Sequence, residues 1–231
     1  EGTTARDMLK TQKRLPAEEC YTIIRQISEA LAYASKNGLV HRDVKPENIM
    51  VTPQGVAKLC DLGLAKQESN EDASLTQSGQ AVGTPHYISP EQARGEKDVD
   101  IRSDIYALGA SLYHLLTGQT AFEGSTAAFI MARHLTDEAK GVCELNPEAP
   151  EVWGAIVSKM MAKDPADRYQ TPEVLIVDLD AAHNDQPVAA LAFRGKTSCM
   201  LPRRGAKSSV AAPTSPISRQ SLSPPSNASP A

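Results

Sequence analysis

The sequence predicts a mainly α domain with one short β-hairpin, followed by a disordered tail. Three observations lead there. Apolar residues recur at Cys20, Ile23, Ile24, Ile27, Leu31 and Ala34, the spacing of one buried helical face. The apolar run from Ile105 to Leu116 describes a helix buried on all sides, stopped by Gly118. From His183 to Ala231 the chain holds nine serines and seven prolines with few large apolar residues. Such a segment cannot bury enough surface to offset its ordering entropy.

The remaining elements follow in order. Leu15-Pro16 with Glu18 and Glu19 reads as a helix start, because proline fits the first turn and acids suit the helix dipole there. Asn37-Gly38 ends that helix. Asn48 to Thr52 and Val56 to Cys60 form a strand pair around Pro53-Gln54-Gly55. Gln67 to Val82 is polar and reads as a loop. Trp153 to Ala162 and Pro172 to Ala182 are two further helices, the second with Thr171 as N-cap.

Charge is unevenly spread. Before His183 there are 18 basic and 27 acidic residues; from His183 onward there are six basic residues and one acid. The acidic front argues against a nucleic-acid partner, whose footprint is a basic face. The cysteines at 20, 60, 143 and 199 form no C-x-x-C pair and no zinc spacing, so they read as reduced thiols of the cytoplasm. No signal peptide opens the chain. The longest apolar run falls short of the roughly 20 residues that a transmembrane helix needs.

The chemistry concentrates in His41-Arg42-Asp43-Val44-Lys45-Pro46-Glu47-Asn48, which resembles the catalytic loop of protein kinases and so implies phosphoryl transfer. Phosphoryl transfer needs a carboxylate within reach of the attacking hydroxyl, and Asp43 fits. Charge builds on the phosphoryl oxygens, and Lys45, two residues on, can lie on the same side of an extended loop. Asn48 offers a neutral oxygen for magnesium, a hard cation. A hairpin later, Asp61-Leu62-Gly63 supplies a second oxygen ligand.

These residues resemble the catalytic loop and D-F-G motif of protein kinases, with Leu62 in the Phe position. Gly83-Thr84-Pro85-His86-Tyr87-Ile88-Ser89-Pro90-Glu91 resembles the end of the activation segment, with Ser89 where A-P-E has alanine. Asp164-Pro165-Ala166-Asp167-Arg168-Tyr169 resembles a motif late in the large lobe. The match runs in order to about Ala182 and is most similar to the eukaryotic-like serine/threonine kinases of bacteria.

The resemblance implies a kinase large lobe: a helical bundle whose hairpin carries the catalytic and metal-binding loops. It implies ATP and Mg2+ as cofactors, with Asp43 as base, Lys45 on the phosphates, and Asn48 and Asp61 on the metal. It implies Thr84 in the substrate platform, a buried Glu91–Arg168 pair, Asp104 bracing the catalytic loop, and a structural His41. Arg42 beside Asp43 implies control by activation-loop phosphorylation, with Ser69, Ser74, Thr76 and Ser78 as acceptors and Thr76 first among them. Lys45-Pro46-Glu47 favours Ser/Thr hydroxyls of protein substrates, including autophosphorylation in trans. Related bacterial kinases often carry a membrane helix after the catalytic domain; none is found here, which leaves anchoring of the intact protein open.

Only 40 residues precede His41, and they hold neither a glycine-rich loop nor a strand lysine. The expectation is a kinase large lobe over residues 1–182 without its small lobe, then a basic Pro/Ser-rich tail over 183–231. The alternatives are a non-catalytic or decayed kinase-like scaffold and, below it, a small-molecule phosphotransferase.

Overall fold

The computed structural model describes residues 2–61 and 85–193. The predicted positions Leu62, Gly63, Thr76 and Thr84, the polar loop around Thr76, and tail residues 194–231 lie outside the described residues.

Strand β1 (Thr3–Thr4) leads directly into helix α1 (Ala5–Gln12). Thr4 caps α1 by accepting the Asp7 N–H at 3.1 Å. Helix α2 (Ala17–Lys36) follows, burying Cys20, Ile23, Ile24, Ile27 and Leu31 as the periodicity requires. Gly38 ends it at φ +68°, a left-handed conformation in which a Cβ is costly.

Strands β2 (Ile49–Val51) and β3 (Ala57–Leu59) pair antiparallel, with Met50 opposite Lys58. Strand β1 adds on the far side of β2, giving the order β1-β2-β3. The outer edge of β3 is served by a side chain. Gln26 of α2 accepts the Ala57 N–H at 3.0 Å and donates to the Gly55 carbonyl at 3.1 Å. The hairpin is thereby fixed to α2.

Short helix α3 (Pro90–Ala93) precedes α4 (Ile101–Thr117), in which every residue from Ser103 to Thr117 is buried. Helix α4 is the axis of the core. It packs on α2 and on α7 (Glu151–Met160). Gly109 permits the approach of α7, since a Cβ there would lie 2.6 Å from the Cβ of Met160. Helices α5 (Ala127–Thr136) and α6 (Val142–Leu145) cover its flank. Helix α8 (Pro172–His183) lies antiparallel along α2, with Lys36–Glu173 and Arg25–Asp180 ion pairs along the seam. Thr171 occupies the cap position of α8 but makes no side-chain bond to the helix backbone.

The expected tail boundary at 183 moves outward. Residues 184–193 continue the fold, and Val188 and Ala190 are buried against α7. The cause is Asp178, whose carboxylate accepts the Tyr169 hydroxyl at 2.8 Å and the Ala189 and Ala190 amides at 2.9 Å each. Removing that carboxylate strands three donors. Asp178→Ala should lower stability by about 2–4 kcal/mol, read as a shifted urea midpoint. A change below about 0.5 kcal/mol would show that the segment is not held this way.

Candidate active site

The loop from Leu39 to Lys45 has no regular secondary structure, so its backbone groups need other partners. Asp104, in the first turn of α4 and 1% exposed, supplies two. Its carboxylate accepts the His41 N–H at 2.7 Å and the Arg42 N–H at 2.8 Å. Burial pushes the Asp104 pKa up to about 6, and the two N–H donors pull against that rise. The clamp holds Arg42 at φ +66°, a conformation that costs energy to any residue with a Cβ unless the surroundings impose it.

His41 is fully buried and uses both ring nitrogens. Nδ1 accepts the Asp43 N–H at 3.3 Å, so the ring proton sits on Nε2 and is donated to the Cys60 carbonyl at 3.0 Å. The ring therefore ties the loop to the end of β3, immediately before Asp61. The Cys60 N–H donates to the Asn48 carbonyl at 2.8 Å, closing the same gap through the backbone.

Asp43, Lys45 and Asn48 come together. The Lys45 Nζ lies 2.7 Å from Asp43 Oδ2, with each side chain roughly a quarter exposed (26% and 29%). The Asn48 Nδ2 donates to both the Asp43 carbonyl and Oδ2 at 2.9 Å. Pro46 starts the 3-10 turn Pro46–Asn48 that carries the amide back under Asp43. Asp61 follows β3 at φ +61° with its side chain exposed. The hairpin register sets Cys60 opposite Asn48, and Asp61 is the next residue along.

The donor set fits a hard divalent cation. The amide nitrogen of Asn48 is committed to Asp43, which leaves its oxygen as the free half, and Asp61 adds a carboxylate. Among the described residues, no cluster of three His, Cys, Asp or Glu side chains could hold a metal unaided. None of their helices is long and apolar enough to cross a membrane.

Glu91 and Arg168 form a buried bidentate pair at 2.7 and 2.9 Å. Arg168 is fully satisfied: its other N–H groups reach the Ala162, Arg102 and Lys163 carbonyls. Its guanidinium also lies over the Tyr106 ring. Burial alone would raise the Glu91 pKa, and Arg168 reverses the sign, so Glu91 stays ionised below its ordinary range.

Two residues near the site, Gln92 and Ser103, escaped the sequence reading, and Ser89 entered it only as the residue in the alanine position of A-P-E. Ser89 and Gln92 form a capping box on α3, a pattern visible as Ser-x-x-Gln. The Ser103 hydroxyl donates to the Gln92 oxygen, and the Gln92 Nε2 donates to the Arg42 carbonyl at 2.8 Å. Arg6 of α1 also approaches the site, 3.6 Å from Glu47 and 3.4 Å from the His114 ring.

Residues 1–178 match the protein kinase domain. The chain belongs to the protein kinase family. It is 39% identical over 218 residues to a probable serine/threonine-protein kinase PknB of Bifidobacterium longum, covering 94% of this chain and 31% of that relative. It is 38% identical over 195 residues to a probable serine/threonine-protein kinase of Streptomyces coelicolor, covering 84% and 29% respectively. It is 35% identical over 225 residues to the serine/threonine-protein kinase PknB of Mycobacterium tuberculosis, covering 96% and 36%. The chain thus spans about a third of the length of these curated relatives.

The kinase lobe depends on the Glu91–Arg168 pair because a lone buried charge has no water to turn to. Arg168→Met should cost about 3–5 kcal/mol in urea unfolding, and adding Glu91→Leu should recover most of it. A single variant as stable as the parent would contradict this reading.

Proposed function

We propose that the protein containing this chain is an ATP-dependent serine/threonine protein kinase. One observation carries the reading: a loop braced on α4 presents the Asp43 carboxylate between the Lys45 ammonium and the Asn48 amide. Bound Mg-ATP supplies the transferred γ-phosphoryl group and neutralises part of its charge. Asp43 orients the substrate hydroxyl and accepts its proton as the oxygen attacks. The Lys45 ammonium lies where negative charge develops, and Asn48 and Asp61 offer oxygens to the metal. The curated relatives are named as serine/threonine kinases, which supports protein Ser/Thr hydroxyls as acceptors. The acidic front of the chain weighs against nucleic acid as a partner, and a catalytic lobe in the cytoplasm is part of the same proposal.

Phosphorylation regulates the site in this reading, with Thr76 the first acceptor and autophosphorylation in trans the route. Among the described residues the buried Arg42 Nε has no hydrogen-bond partner, which suits a side chain that takes up an anionic partner. Thr84, in Gly83-Thr84-Pro85, completes the substrate platform by family pattern.

Asp43→Asn in the full-length protein should lower phosphate transfer from γ-labelled Mg-ATP to a Ser/Thr-rich protein by about 10²–10⁴-fold, with an unchanged thermal midpoint. Equal activity of parent and variant would refute the mechanism.

A further inference from the structure

Gln92 does two separable jobs with the two ends of its amide. Its oxygen closes the cap of α3, accepting the Ser89 N–H at 3.2 Å and one hydroxyl proton from the bonded Ser89–Ser103 pair, whose oxygens lie 3.1 and 3.2 Å away. A glutamate would serve that cap equally, since capping boxes take either residue. The nitrogen is what glutamine adds. It leaves the helix and donates to the Arg42 carbonyl, 50 residues away in sequence, at 2.8 Å.

That carbonyl belongs to the peptide unit that carries Asp43. The backbone polar atoms around it are each held by a different side chain. Asp104 takes the Arg42 N–H, Gln92 the Arg42 C=O, His41 the Asp43 N–H and Asn48 the Asp43 C=O. Three of those side chains belong to the catalytic loop or to α4. Gln92 alone comes from the stretch between Asp61 and α4, in the short helix begun by Ser89-Pro90-Glu91. Arg42 itself sits at φ +66°, so the backbone next to this peptide keeps a conformation that its surroundings must impose.

We propose that Gln92 is a positioning residue for Asp43. Its Nε2 fixes the Arg42–Asp43 peptide and so makes the seating of α3 a condition for the carboxylate's orientation. Gln92 does not touch the reacting atoms; it acts through Asp43. The inference rests on the kinase reading given above for its effect on turnover, but the hydrogen bond itself does not.

Gln92→Glu keeps the acceptor side of the cap and replaces the donor with a carboxylate oxygen that cannot bond the Arg42 carbonyl. Gln92→Met fills the same space without polar atoms and controls for the added charge. The full-length protein is labelled with carbonyl-13C arginine and 15N aspartate, which lights up Arg–Asp steps, including Arg6–Asp7 and Arg42–Asp43 of this sequence. The Arg42–Asp43 signal is assigned by its loss in Asp43→Asn. In both Gln92 variants that signal should move while the Arg6–Asp7 signal stays. The kcat should fall about five- to tenfold, the value of one hydrogen bond, with KM within about twofold. A stationary Arg42–Asp43 signal overturns the proposal whatever the activity. A moved signal with unchanged kcat overturns the positioning role. A full-length parent that transfers no phosphate overturns the kinase reading instead, and the signal still decides whether Gln92 holds the peptide.

Discussion

The arrangement of the candidate active site depends on the buried carboxylate of Asp104. Asp104 sits at the start of a helix that is buried along nearly its whole length, and it spends both oxygens on the amides of His41 and Arg42. Burying a carboxylate is expensive unless its hydrogen bonds are strong, and bonds from backbone N–H groups to an ionised acceptor are among the strong ones. Its position on α4 matters as much as its chemistry. Helix α4 is packed by α2 and α7, so the anchor point of the loop does not move with the loop. The rest of the site follows from that point. His41 passes the restraint to Cys60, the residue before Asp61, while Asn48 and Lys45 converge on Asp43.

A second buried charge fixes the end of the activation segment. Glu91 starts α3 and is gripped by Arg168, which follows α7 and is held by three carbonyls as well. The arginine's planar fork matches the carboxylate in a way that a lysine's point charge could not. Asp104 and Arg168 thus hold two chain segments on the same helical core from different sides. Ser103, next to Asp104, bonds to Gln92, next to Glu91, so the two anchors are neighbours through side chains that look incidental in sequence.

Much of this was legible in the residues alone. Helices α2, α4, α7 and α8 announce themselves by apolar spacing, and the hairpin by its turn. Asp43, Lys45, Asn48 and the Glu91–Arg168 pair were named from motif order, and the described structure brings each set together. What was not legible has physical reasons. Helix α1 is only Ala5–Gln12, too short for a clear apolar period, although Thr4 and Asp7 carry its cap. Residues 184–193 look like tail because they show no clear helical or strand period and open a Ser/Pro-rich stretch. Their order comes from Asp178, a long-range partner that no local pattern shows. The same holds for Gln26, whose bonds to Gly55 and Ala57 stand in for a missing strand, and for Gln92. Side chains that satisfy distant backbone groups are invisible to periodicity, because nothing in their own neighbourhood requires them.

Amide hydrogen exchange at His41 and Arg42, measured by NMR in the parent and in Asp104→Ala, tests the central claim most directly. The account predicts that both amides are protected in the parent. In the variant they should exchange at least about tenfold faster, while amides in the middle of α4, such as those of Leu108 and Leu112, keep the protection set by global stability. Equal protection of His41 and Arg42 in the two proteins, or uniform loss across α4, would contradict a loop held in place by this one carboxylate.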